Sequence, residues 1–351
     1  MRKLFISCLF VLFAFQLLAQ KNEINDPVGN FEALWSEFDQ RYANFELKNI
    51  DWYEVYKKYR PQIHENTSNE QLFDICCSMV QELSDGHVGI EADFKECGPP
   101  YSFQIEDAFA GEEDKRAFFE LMEASFHQEG FSKAKHLNIS EETNFQYRTS
   151  KAYGYLRIDE MTESFFLGKL NKALDEAMQA FETKEGLIID LRFNGGGYDR
   201  AGHQIATRLI KEPRISHFKQ RRIKGKEEFR KRKTVSLKPK GKYRFTKAIV
   251  ILTSDYTASA AEVFLLSVKD LSHVSIVGDD TEGIFSDMYE FSLPNKWSVS
   301  LSHMQFFSAD MINFEGKGIA PDYKVLNSRK DLERGNDPVF LKAIEVLRKN
   351  K

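Results

Sequence analysis

The sequence predicts an α/β core preceded by a small helical unit. Three observations carry this. Apolar runs of strand length alternate with amphipathic helical stretches from residue 152 onward; apolar residues recur at helical spacing between residues 31 and 83; and 42% of the 351 residues are apolar, enough for one sizeable core and a smaller one.

Taken in order, Phe31, Leu34, Trp35, Phe38, Tyr42 and Phe45 line one face of a first helix, and Trp52 to Tyr59 fits a second. Leu72, Ile75, Cys76, Met79, Val80 and Leu83 stripe a third, opened by a capping box at Ser68 and Gln71. This helical unit covers residues 27–85 and ends in the turn Ser84-Asp85-Gly86-His87, after which Val88 to Glu91 extends as a strand. An α/β core is expected over 86–328. Within it residues 91–150 are poorly patterned, with one helix around Phe118 to Phe126. The pattern then sharpens: strand Ala152 to Ile158, helix Phe165 to Phe181, and strand Gly186 to Arg192 running into Asn194-Gly195-Gly196-Gly197. Helix Asp199 to Ile210, strand Ala248 to Thr253, helix Ser259 to Lys269 and strand Val274 to Val277 follow. A hairpin turns around Asn295, and a last helix, 337–349, has Asp337 as cap and Pro338 at its first position.

The first 19 residues have the make-up of an export signal: Arg2 and Lys3, an apolar run from Leu4 to Leu18, and a small residue, Ala19, at the end. That implies a periplasmic or secreted protein. No stable membrane insertion is expected after removal, because about 15 apolar residues fall short of the ~20 a span needs. Without Arg2 and Lys3 the chain keeps 47 of its 49 basic residues against 53 acidic ones, a balance that offers nucleic acid nothing. Three cysteines lie beyond the signal, so at most one internal disulfide forms; Cys76 reads as a buried thiol, and Cys77 with Cys97 is a pairing the sequence leaves open. The thirteen Lys and Arg between Lys219 and Arg244 read first as a solvated edge ribbon and second as a docking surface for acidic partners. Nothing in the sequence sets an oligomeric state.

Three constellations bear on chemistry. In Thr257-Ala258-Ser259-Ala260-Ala261-Glu262, Ser259 follows a strand and opens a helix, where unpaired N–H groups and the helix dipole favour a nearby oxyanion; an ordinary helix cap is the plainer reading. The glycines 195–197 after a buried strand suit an oxyanion hole, or less well a phosphate cradle, since the spacing is neither G-x-G-x-x-G nor G-x-x-x-x-G-K. A hydroxyl nucleophile needs a base, for which His87 at its turn and His203 after the glycines are the candidates. No H-E-x-x-H or Cys-x-x-Cys suggests a metal.

These segments stand in order as they do in the carboxy-terminal-processing and tricorn-like serine peptidases, which the chain resembles from about residue 30 to 325. Leu83 to His87 is similar to that family's histidine turn, Asp190 to Gly197 to its glycine loop, Thr257 to Glu262 to its nucleophile motif, and Glu315-Gly-Lys-Gly-Ile-Ala-Pro-Asp322 to its closing signature. The resemblance implies a crotonase- or Clp-like core of strand-strand-helix units. It implies a serine peptidase acting on polypeptides or their C-terminal tails, with Ser259 as nucleophile, His87 as base, Glu315 orienting the base, and N–H groups of Gly195 or Gly196 and of Ala260 holding the oxyanion. No cofactor is implied. Two departures stand out: Thr281-Glu282-Gly283 is followed by Ile284 and Phe285 instead of the lysine base of the processing branch, the next lysine being Lys296, and Gly86 stands where the tricorn branch has a serine. Glu282 and Asp85 are therefore alternatives to Glu315. No Gly-Leu-Gly loop of a peptide-binding module is found. A non-catalytic ligand-binding protein on the same scaffold, or an esterase-like hydrolase, are the competing functions.

Overall fold

A computed structural model describes residues 26–109, 112–139 and 145–349; the export signal expected over 1–19 lies outside them. In chain order the elements are α1 (Pro27–Arg41), α2 (Trp52–Tyr59), α3 (Asn69–Gln81), β1 (Gly89–Ala92), β2 (Lys95–Cys97), α4 (Gln104–Ala108), α5 (Glu112–Gln128), β3 (Lys135–His136), β4 (Phe145–Thr149), β5 (Tyr153–Ile158), α6 (Leu167–Phe181), β6 (Gly186–Asp190), α7 (Asp199–Ala206), β7 (Arg214–Arg221) and β8 (Lys233–Leu237). They continue with β9 (Ala248–Thr253), α8 (Ala260–Val268), β10 (Val274–Gly278), β11 (Met288–Ser292), β12 (Ser298–Ser302), β13 (Met304–Ser308), β14 (Tyr323–Lys324), α9 (Arg329–Glu333) and α10 (Pro338–Lys349). The chain divides into two compact units, the first comprising residues up to Tyr101 with 220–231 and 286–305, the second the remainder.

In the first unit each helix start has a side chain answering its unpaired N–H groups. Asp26 Oδ1 accepts from Gly29 N–H at 2.9 Å, Asp51 Oδ1 from Tyr53 and Glu54, and Ser68 and Gln71 make the reciprocal bonds of the capping box. Phe31, Leu34, Phe38, Phe73, Cys76 and Met79 are buried with Ile90, Val299 and Leu301 of an antiparallel sheet ordered β11-β12-β1-β2. The unit thus takes in more than the helices of 27–85, because their apolar stripe packs with the inward side chains of that sheet. Cys77 and Cys97 are bonded, joining α3 to β2, and burial pushes the Cys76 thiol up to about 12.

The second unit is built on a seven-stranded sheet ordered β14-β10-β9-β6-β5-β4-β3, parallel from β14 to β5 and antiparallel beyond. Its central strands β5 and β6 are buried at every position, as expected where helices cover both faces. The stretch 91–150, from which one short helix is expected, holds α4, the 17-residue α5 and strands β3 and β4. Among the described side chains of α5, Phe118, Met122 and Phe126 are buried in a core shared with Tyr155 and with Phe340 and Ile344 of α10, and Phe119 and Leu121 are partly buried against it, a narrow stripe on a long helix. The basic ribbon is a β7–β8 hairpin with β8 at an edge of its sheet.

A buried ionic network ties the end of β6 to the start of α10. Arg192, just past β6, is fully buried and donates to Asp190, to Asp337 at the α10 cap and to Asn327, while Tyr155 Oη donates to Asp190 at 2.7 Å. Burial pushes the Asp190 carboxyl up, but the Arg192 charge and these donors outweigh it and hold it below its ordinary value.

Candidate active site

Strand β9 ends at Thr253, a tight turn follows, and Ser259 precedes α8 with φ 52° and ψ −118°, a conformation that costs a non-glycine residue about 1–3 kcal/mol. Three bonds pin this turn to the glycine segment: Thr257 Oγ1 donates to Leu191 C=O, Ala258 N–H to Asn194 C=O at 3.0 Å, and Ser254 Oγ to Arg192 C=O. Asn194, fully buried, donates its side-chain amide to Ile158 C=O and accepts Gly196 N–H at 2.9 Å. Gly196 has φ 111°, and a Cβ there would lie 2.7 Å from the Ser259 Cβ. The glycine loop and the Ser259 turn are therefore one packed assembly that a side chain would push apart.

This arrangement separates the amide candidates. The N–H of Gly196 is taken by Asn194, whereas among the described residues Gly195 and Ala260 present N–H groups that no protein acceptor satisfies. The α8 start adds its dipole at the same point.

Glu262, one turn into α8, is fully buried. Its Oε2 accepts Ser259 N–H at 3.0 Å and Ile284 N–H at 2.9 Å; its Oε1 accepts Gly283 N–H at 2.8 Å and the Thr281 hydroxyl at 2.5 Å. Burial pushes its carboxyl up to about 8 against these donors. Sequence reasoning places Glu262 in the serine's motif without a role of its own; Ser-x-x-Glu at a helix start is the signal that points to one. The Thr281–Phe285 segment is held from its other side by Glu315, whose Oε2 accepts Phe285 N–H at 2.8 Å, and by Ile319 N–H, which donates to Thr281 Oγ1 at 2.7 Å.

His87 belongs to the first unit. Asp85 Oδ1 accepts its backbone N–H at 2.9 Å and the Ser302 hydroxyl at 3.1 Å, and Asp85 Oδ2 accepts the Tyr42 hydroxyl at 2.8 Å. Burial lowers the His87 pKa, opposed by the charges of Asp85 and Asp287. His203 is stacked on His217 with its Nε2 buried and unpartnered; burial and then the Lys219 charge hold it down to about 4, the surroundings of a packing residue. Lys296 sits in the β11–β12 turn. Among the described residues no three His, Cys, Asp or Glu side chains gather as a metal site, and no helix is long and apolar enough to cross a membrane.

The second unit also holds a cavity of about 990 Å³ bounded by the glycine loop, Phe119, Phe193 and Tyr256, with Arg148 and Arg157 in its wall paired to Glu123 and Asp159.

A parallel sheet whose strand ends carry a pinned glycine loop and a serine in a strained turn defines a hydrolase-like α/β class. Residues 152–325 match the family model of peptidase family S41 and residues 25–81 that of the tricorn protease C1 domain, so the chain carries a segment of each kind. It is 27% identical over 207 residues to a carboxyl-terminal-processing protease of Synechocystis, covering 57% of this chain and 45% of that one. It is 26% identical over 214 residues to the tricorn protease of Thermoplasma acidophilum, covering 59% and 18%. The chain thus matches less than half the length of these curated relatives. A crystal structure of a candidate peptidase from Parabacteroides merdae superposes with a TM-score of 0.78 at 26% identity, covering 92% of this chain and 96% of that one. The tricorn protease structure superposes with a TM-score of 0.59 at 16% identity, covering 93% and 37%, a likeness of fold.

Proposed function

We propose that the chain is a serine peptidase that hydrolyses polypeptides, or their C-terminal tails, through an acyl-enzyme on Ser259. The observation that carries this is the strained Ser259 at the Ala260 amide and packed against the glycine loop, where among the described residues the N–H groups of Ala260 and Gly195 meet no protein acceptor. An oxyanion formed at the attacked carbonyl would be stabilised there without reorganisation. His87, kept neutral by burial, accepts the Ser259 proton and returns it to the leaving amine. Asp85 fixes the turn that carries His87, and Glu315 retains the base-orienting role the family resemblance implies. The cavity of about 990 Å³ along the glycine loop has the size and mixed lining that an extended peptide requires. Export to the periplasm or beyond fits both the composition of residues 1–19 and the Cys77–Cys97 bridge, which persists in oxidising compartments.

The test is labelling with a serine-directed phosphonate, adduct mapping, and cleavage of a mixed peptide library read by mass spectrometry. Ser259→Ala should lose both labelling and cleavage, the latter by a factor on the order of 10⁴ to 10⁶. An adduct elsewhere, or undiminished cleavage by Ser259→Ala, sinks the reading in favour of a ligand-binding role. Cleavage of esters with no peptide cleaved would favour the esterase-like hydrolase.

A further inference from the structure

Ser259 does not hold its conformation alone. Its N–H, those of Gly283 and Ile284, and the Thr281 hydroxyl all point at the one buried carboxylate of Glu262. The Thr281 oxygen already accepts from Ile319 N–H, so its proton is directed at Glu262. Among the described residues the four groups hydrogen-bonded to it all donate, a pattern that an ionised carboxylate satisfies in full. Resting on the reading of Ser259 as nucleophile, we propose that ionised Glu262 is a positioning residue that clamps Ser259 in its strained backbone conformation and ties it to the Thr281–Phe285 segment, so that the reaction requires Glu262 to be deprotonated.

Physical reasons converge on this. The conformation at Ser259 persists only where its surroundings over-determine it, and the clamp supplies an anchor at the strained residue itself. A proton on Glu262 would turn one acceptor oxygen into a donor facing donors, freeing either the Ser259 and Ile284 amides or the Gly283 amide and Thr281 hydroxyl. Of the groups around it, Thr281 and the amides of Gly283 and Ile284 oppose the upward shift that burial imposes, and the charge of Glu282 adds to it. With the carboxyl at about 8, the clamp closes across the neutral to mildly alkaline range. Stability runs the other way. A carboxyl raised above its unfolded value of about 4.3 favours the fold while protonated, and that contribution is lost as pH climbs through its folded value, so activity should rise over the window in which stability declines.

The experiment measures phosphonate labelling of Ser259, kcat and KM against pH in the full chain, with melting temperature and circular dichroism recorded for each variant. Glu262→Gln keeps the shape but sets an amide N–H₂ against two donors. It should lower kcat and the labelling rate by about 100-fold while KM moves less than about threefold, the pattern of a displaced reacting group. In the wild-type protein the acid limb should lie near pH 8. Thr281→Val removes a donor and should move that limb up; Glu282→Gln removes a like charge and should move it down. These opposite shifts are read on folded protein even where Glu262→Gln does not fold. Wild-type labelling rates in Glu262→Gln, or a limb unmoved in both other variants, overturn the clamp and leave the nucleophile standing. No labelling of Ser259 in the wild-type protein overturns both.

Discussion

Two carboxylates do the same local task in the two units, each accepting the backbone N–H of a residue proposed for the chemistry: Asp85 for His87 at 2.9 Å and Glu262 for Ser259 at 3.0 Å. Their other donors differ in kind. Asp85 is met by the hydroxyls of Tyr42 and Ser302, which rotate and accept as readily as they donate, so a proton or an amide on Asp85 finds partners. Glu262 is met by three backbone amides and by one hydroxyl already engaged as an acceptor, none of which reverses. A carboxylate held by rotors tolerates a change of charge; one held by the main chain does not.

The largest expected effect asks whether the two held residues act as a pair. His87→Ala should lower kcat/KM by about 10²- to 10⁴-fold, the usual worth of a general base, while Lys296→Ala in the β11–β12 turn leaves it unchanged. The activity limb belonging to His87 should fall below its ordinary value, as burial lowers it. Steady-state assays of both variants, with folding checked, decide this. A lysine variant that loses rate while the histidine variant keeps it would assign the base elsewhere.

Next in size is the packing between glycine loop and serine turn. Gly196→Ala places a Cβ 2.7 Å from that of Ser259 and should lower kcat by about 100-fold, as a displaced reacting group does, with KM little changed. Equal losses in kcat and affinity, or a collapse of melting temperature, would mark the glycines as a structural turn only.

Smallest is the test of the comparison itself. Asp85→Asn should cost less than about tenfold in kcat/KM, because the Tyr42 and Ser302 hydroxyls reorient around the amide and at most one ordinary hydrogen bond is lost. A penalty as large as that of Glu262→Gln would erase the distinction between rotor-held and main-chain-held carboxylates.

Much of this is legible in residue order. The caps at Ser68 and Asp337, the buried runs of β5, β6 and β9, and the Asn295 hairpin each announce themselves within a short window, because their causes are local. The motifs around His87, Gly195, Ser259 and Glu315 are readable for the same reason. What the sequence hides are contacts made at a distance. Asn194 reads as a turn residue until its amide is seen on Ile158 and its oxygen on Gly196, which leaves Gly195 and not Gly196 with an unsatisfied amide. The stretch 91–150 looks unpatterned because α5 spends a long helix on a narrow core stripe, and β3 and β4 are short.

The buried Arg192 network also sets an order of events during synthesis. Arg192 stands two residues before Asn194, and the partners that neutralise it are Asp190 and Asp337, separated by most of the second unit's sequence. Until Asp337 has left the ribosome, Arg192 has only part of its compensation, and a buried guanidinium without its full complement of acceptors is costly to keep in place. The segment that shapes the glycine loop therefore gains its full charge compensation only when residues near the far end of the chain have docked onto it.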